Sequence, residues 1–202
     1  MSNEPAILNT PRLILRLPKP ELAGEVLRYY SENAEHFAPT SPLSPPDADT
    51  VEYWQSQLAH SLQQARAGLG LRLFLFSRAA PSDVLGNISV TNIVRDSAQY
   101  GDLGYNLAAS AQGQGFMTEA AREVIRYAFE DLELHRISAA YLPHNHRSAR
   151  LLERLGFSID GLARGLLYIQ GRCQDHVRAS LLNDRWTQAG SKVAPLPATD
   201  SG

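Results

Sequence analysis

Two periods alternate along the chain and divide it into elements. Leu13, Leu15 and Leu17 recur at every second position beside Arg12 and Arg16, which predicts a strand over residues 12–17 ended by Pro18 and Pro20. Leu22, Val26, Leu27 and Tyr30 then follow helical spacing and predict a helix over 21–32. Pro39, Pro42, Pro45 and Pro46 make residues 38–46 a loop. Val51, Trp54, Leu58 and Leu62 form one stripe of a second helix over 47–67, with Asp47 or Asp49 as its cap and Gly68 as its stop. Beyond Gly68 the period returns to two, giving strands over 71–77, 84–94 and 100–107. The connection at 79–83 is too short for a crossover, so these strands read as an antiparallel meander.

The clearest helical stripe is Met117, Ala120, Ala121, Val124, Ile125, Ala128, Phe129 and Leu132, with Glu119, Arg122, Glu123 and Arg126 on the opposite face. A strand over 136–142 is reached through that helix and is therefore expected to run parallel to the strand before it. Residues 145–155 read as a short helix with Asn145 as N-cap and Gly156 just past its end. Strands over 157–169 and 172–182 close the pattern, joined at Gln170-Gly171. The order β-α-α-β-β-β-α-β-α-β-β implies an α+β fold, one domain over residues 8–187 with a mixed seven-stranded sheet. Residues 188–202 thin to Gly, Ser, Pro, Ala and Thr and are expected to be disordered.

Composition narrows the function classes. The 202 residues carry 19 Lys and Arg against 21 Asp and Glu, so no basic footprint argues for direct nucleic-acid binding. The lone cysteine, Cys173, allows no internal disulfide and fits a reducing compartment, here expected to be the cytoplasm. Residues 1–11 show no apolar core of a secretory signal, and no apolar run is long enough to span a membrane.

The candidate chemistry lies where the clearest helix begins, at Gln112-Gly113-Gln114-Gly115-Phe116-Met117-Thr118-Glu119. Two glycines let a backbone approach a ligand closely, and a helix N-terminus offers unpaired N–H groups and partial positive charge. Together they suit a phosphate or pyrophosphate, although a bare tight turn has the same spacing. His144 and His146 lie beside a cap with no Cys, Asp or Glu close by, so no metal is expected. Arg147, Arg150 and Arg154 share one helix face, either solvated or turned to a phosphate or an acidic partner.

Several motifs in this order resemble the GCN5-related N-acetyltransferases (GNAT), and within them the ribosomal-protein-alanine, RimJ-type branch. They are Thr10-Pro11-Arg12-Leu13, Gly104-Tyr105, Leu107 followed by Gln112-x-x-Gly115-x-Met117, Pro143-His144-Asn145 with Arg147-Ser148, Leu155-Gly156-Phe157, and the late Asp175-His176. The resemblance implies a GNAT fold with a splayed central parallel pair of strands and acetyl-CoA as co-substrate. It implies that Gln112, Gly113, Gln114, Gly115, Phe116, Met117 and Thr118 hold the pyrophosphate, and that Leu107 polarises the thioester carbonyl through its backbone N–H. It also implies that Asn145 binds the pantetheine or caps its helix, and that Ser148 returns a proton to the leaving thiolate. Acetyl transfer would be direct, in a ternary complex.

A peptide α-amine has a pKa of about 7.7–8.0, so a weak base suffices. Asp102, on the same face as Gly104, is the first candidate, with Tyr105 and Tyr168 as residues that could position water. Asp175 and His176 read equally as structural or substrate-side. Relatives that acetylate protein N-termini often carry Tyr where this chain has Leu152, which shifts weight to Ser148 or water. The acceptor implied is a protein N-terminus, with an Ala- or Ser-starting ribosomal protein as the candidate partner. A small amine (amino acid, polyamine or antibiotic) and a non-catalytic acyl-CoA-binding module are the alternatives, in a monomer or homodimer. The acceptor site would be lined by residues 37–46 and 163–171.

Overall fold

The computed structural model describes residues 8–187. The tail over 188–202, expected to be disordered, lies outside the described residues. One eight-stranded sheet runs in the order β1-β2-β3-β4-β5-β6-β8-β7. Its strands are β1 (Leu8–Asn9), β2 (Leu13–Arg16), β3 (Leu71–Ser77), β4 (Val84–Val94), β5 (Tyr100–Leu107), β6 (Arg136–Tyr141), β7 (Ser158–Ile169) and β8 (Arg172–Leu182). All pair antiparallel except β5 with β6. The extra strand relative to the seven expected is β1, whose Leu8 pairs with Leu15. Two residues are too few to show a period, so only the partner strand reveals it.

The helices are α1 (Ala23–Glu32), α2 (Ala34–Phe37), α3 (Val51–Arg66), α4 (Phe116–Glu130) and α5 (His146–Arg154). Strand β3 shows how they cover both faces of the sheet. Leu71, Leu73 and Leu75 join a core with Val124 and Ala128 of α4, while Phe74 and Phe76 join a second core with Val26 and Trp54. Strand alternation sends successive side chains to opposite faces, so a strand covered on both reads as a continuous apolar run.

Two local expectations change. Helix α3 is capped by Thr50, not Asp47 or Asp49: Thr50 is extended (φ −110°, ψ 149°) and its Oγ1 accepts from the Tyr53 N–H at 3.2 Å. Val51 then falls at the exposed first turn instead of on the buried stripe. Residues 163–169, expected to line the acceptor site, lie in the strand expected over 157–169, which runs as β7 to the tight turn at Gln170 and Gly171 (φ 51° and 77°).

Candidate active site

The parallel pair at the centre of the sheet comes apart. Strand β5 pairs with β6 from Tyr100 with Arg136 to Leu103 with Ala139 and no further, while it stays registered with β4 out to Leu107 opposite Gly86. Hydrogen bonding alternates along an antiparallel pair. Since the Ala108 N–H donates to the Leu85 carbonyl at 2.8 Å, the peptide groups of Tyr105 and Leu107 turn away from β4. They face the gap that β6 has left. A widened strand edge with free backbone groups can pair with an extended, amide-bearing ligand as it would with a strand.

The gap opens towards the turn before α4. Gly113 and Gly115 have φ of 76° and 78°, and Gly115 is the N-cap of α4 with no side chain capping it. Among the described residues no acceptor meets the backbone N–H groups from Gly113 to Thr118. A Cβ at Gly113 would point into open space. Consecutive unpaired N–H groups in left-handed and helical geometry form an anion-binding concavity, so the cradle fits a pyrophosphate.

The first segment of the chain braces that turn. Glu119 accepts from Thr10 Oγ1 at 2.6 Å, from the Arg12 backbone N–H at 2.9 Å and from Arg12 Nε at 2.6 Å. Burial works to raise the Glu119 carboxyl, but these donors outweigh it and hold it below the usual range. Arg12 also donates to the Gln114 carbonyl at 2.9 Å and lies over the Phe116 ring. Glu119, on the polar face of the helix by its spacing, is the anchor that ties residues 10–12 to α4.

On the α4–α5 side of the gap, Tyr105 Oη and Ser148 Oγ lie 2.6 Å apart. Burial pushes the Tyr105 phenol up to about 12, the bond to Ser148 lowering it only in part, so it stays protonated at neutral pH. The Ser148 N–H donates to Asn145 Oδ1 at 3.1 Å, which makes Asn145 the N-cap of α5. Gln112 crosses the opening, with its Nε2 2.6 Å from His36 Nε2 and its Oε1 accepting from Arg147 at 2.5 Å.

A single cleft of about 1690 Å³ collects Leu107, Gln112, Gly113, Gly115, Phe116, Met117, Thr118, Asn145 and Ser148 from the expected set. It also takes in Arg147, Arg150 and Arg154, and, at its other end, His36, Phe37, Pro39 and Thr40. Gln114 and Asp102 are not among its lining residues. Gln114 turns its Nε2 back to the Ser110 carbonyl at 3.1 Å. Asp102 accepts from Asn92 Nδ2 at 3.0 Å on the paired part of β5. It shares a face with Gly104, as its spacing implies, but stands apart from the open end of the gap.

Tyr168, Cys173, Asp175 and His176 also lie away from this cleft. Tyr168 and Cys173 are exposed, Asp175 accepts from the Gly165 N–H at 2.8 Å, and His176 is buried with Nδ1 2.9 Å from the Gln174 carbonyl. Sequence reasoning missed His36 and Asn106. Neither belongs to a recognisable motif, and each reaches the cleft only through packing.

Comparison with known proteins agrees with this geometry. The acetyltransferase (GNAT) domain model matches residues 12–158. The chain is 35% identical over 187 residues, 92% of its length and 96% of the relative's, to the ribosomal protein uS5-alanine N-acetyltransferase of Escherichia coli K12. The crystal structure of a ribosomal-protein-S5-alanine acetyltransferase from Vibrio fischeri superposes with a TM-score of 0.85 at 32% identity, covering 90% of this chain and 99% of that one. Mycobacterium smegmatis RimJ, solved in complex with CoA-disulfide, gives 0.78 at 25% identity over 84% of this chain and 81% of that one.

Proposed function

This chain belongs to the GNAT acetyltransferase family, and from that premise we propose that it transfers the acetyl group of acetyl-CoA to the N-terminal α-amine of a protein. A ribosomal protein beginning with alanine is the acceptor indicated by the relatives' activities. The observation that carries the reading is the open edge of β5, where the peptide groups of Tyr105 and Leu107 meet no partner strand. The pantetheine arm of the co-substrate has the length and the amides to lie there, and the N–H groups of residues 113–118 would take its pyrophosphate.

In this reading the Leu107 N–H donates to the thioester carbonyl oxygen as it gains negative charge. The neutral amine attacks the carbonyl carbon, a C–N bond forms, the C–S bond breaks, and the amine's surplus proton leaves to water. Ser148 gives its proton to the departing thiolate and takes one back through the Tyr105 phenol, which stays protonated at neutral pH. Among the described residues the cleft's two carboxylates are already engaged, Glu119 with Arg12 and Glu123 with Arg126. An α-amine with a pKa of about 7.7–8.0 needs only water to become nucleophilic. The lone cysteine fits a cytoplasmic setting for such a reaction.

The test is CoA release from acetyl-CoA with tetrapeptides beginning in Ala or Ser, beside alanine and spermidine as small amines. Turnover with the peptides is expected. Turnover restricted to the small amines would overturn the acceptor, and CoA binding without release to any amine would overturn the enzyme reading.

A further inference from the structure

Resting on the reading of a peptide acceptor, we propose that Asn106 is a specificity-determining residue whose side-chain N–H donates to the first peptide carbonyl of the acceptor. Asn106 lines the cleft and immediately precedes Leu107. Its carboxamide is oriented from behind. Oδ1 accepts from the Tyr29 hydroxyl at 2.6 Å and from Asn87 Nδ2 at 2.6 Å, and Asn87 donates in turn to the Tyr30 hydroxyl at 2.7 Å. Tyr29 and Asn87 are buried, and burial, with Tyr30 beside it, raises the Tyr29 phenol, so Tyr29 is a fixed donor. Both acceptor positions of the Asn106 oxygen are thereby taken, which points Nδ2 the other way. Among the described residues that nitrogen meets no acceptor, and no buried side-chain nitrogen or oxygen lacks a partner, so it reaches solvent in the cleft.

The direction of the side chain selects the acceptor over the thioester. Tyr105 leaves β5 towards Ser148 on α5, and Asn106, one residue on, leaves by the opposite face towards α1. That face leads to His36, Phe37, Pro39 and Thr40, away from the Tyr105–Ser148 pair. The Leu107 N–H points along the sheet into the gap. An amine attacking a carbon held at Leu107 carries its own carbonyl two bonds from the nitrogen. Neighbouring Cα atoms are about 3.8 Å apart, so that carbonyl falls within reach of the preceding side chain. The chemistry recognised is an α-amine followed by a peptide bond, which a polyamine lacks. Tyr29 and Asn87 are positioning residues, acting through Asn106.

Asn106→Asp keeps the shape and both inward hydrogen bonds but removes the outward donor. With the tetrapeptide Ala-Gly-Gly-Gly, the variant is expected to raise KM roughly tenfold while kcat moves by less than about threefold, the loss of one donor to a neutral carbonyl. Its affinity for CoA should be unchanged. The same carbonyl can be removed from the ligand instead, by reducing the first peptide bond to CH2–NH and comparing at equal free-amine concentration. Wild type should then show the same roughly tenfold rise, and Asn106→Asp no further one. Equal use of both peptides by wild type would overturn the assignment whatever the variant's stability, and so would an equal loss of kcat with both peptides in Asn106→Asp. A wild type that acetylates neither peptide but does acetylate spermidine would instead sink the acceptor reading itself, a result visible before any variant is made.

Discussion

Ser148 holds its hydroxyl 2.6 Å from the Tyr105 phenol and its backbone N–H on Asn145 Oδ1, so its position is set from two sides. Replacing it by alanine removes the proposed proton donor and leaves the cap intact, because the cap uses the backbone. Ser148→Ala is therefore expected to lower kcat by about 100-fold, with the KM for acetyl-CoA nearly unchanged, in steady-state assays. Unaltered turnover would remove Ser148 from the reaction. Glu119 makes a different prediction. Its carboxyl is held below the usual range, so its contribution to stability is present above the unfolded-state value and is lost as pH falls through the depressed one. Melting curves of wild type and Glu119→Gln should differ at pH 7, begin to approach each other as pH falls below about 4.3, where the unfolded group titrates, and converge once pH has passed the depressed folded value. A gap that persists at low pH would mean that the bracing of Thr10 and Arg12 does not depend on charge. Ser148 was legible in the sequence as a candidate, and it lines the cleft. The partnership of Glu119 with residues separated from it by more than half the chain was not.

At the scale of elements, the turn into α4 was readable because it is local: glycine at 113 and 115 and a long apolar stripe after them specify a left-handed turn and a helix start without help from the rest of the fold. Gly115→Asp should test the phosphate role. The left-handed backbone costs a non-glycine residue about 1 kcal/mol, and a Cβ there meets Arg12 Nη2 at 3.5 Å, an ordinary contact. The fold should survive while the added carboxylate opposes the pyrophosphate, weakening CoA at least about tenfold in a titration. Unchanged affinity would refute the placement. Elements whose signals are not local were harder to read. Strand β1 is defined only by its pairing with β2, and the cap of α3 passed from the two aspartates to Thr50 because the backbone is extended there and its hydroxyl reaches Tyr53.

For the whole molecule, the parted strands matter most. A ligand lying between β5 and β6 bridges the two halves of the sheet and binds only the folded chain. CoA at 100 times its Kd should add roughly 2.7 kcal/mol and raise the melting temperature by roughly 5–10 °C, measured by differential scanning calorimetry. No shift at saturation would argue against binding in the gap. Periodicity and the order of elements determined the α+β class and the parallel central pair, because each depends on neighbours in sequence, and the motifs that resemble a known family named most of the residues that line the cleft. Only the tertiary structure decided where that pair separates, that Tyr105 meets Ser148, that Asp102 stays beside Asn92 away from the open gap, and that Tyr29 and Asn87 turn Asn106 towards the cleft. These are distances between segments far apart in the chain, set by the packing of helices on the two faces of one sheet, and no local pattern encodes them.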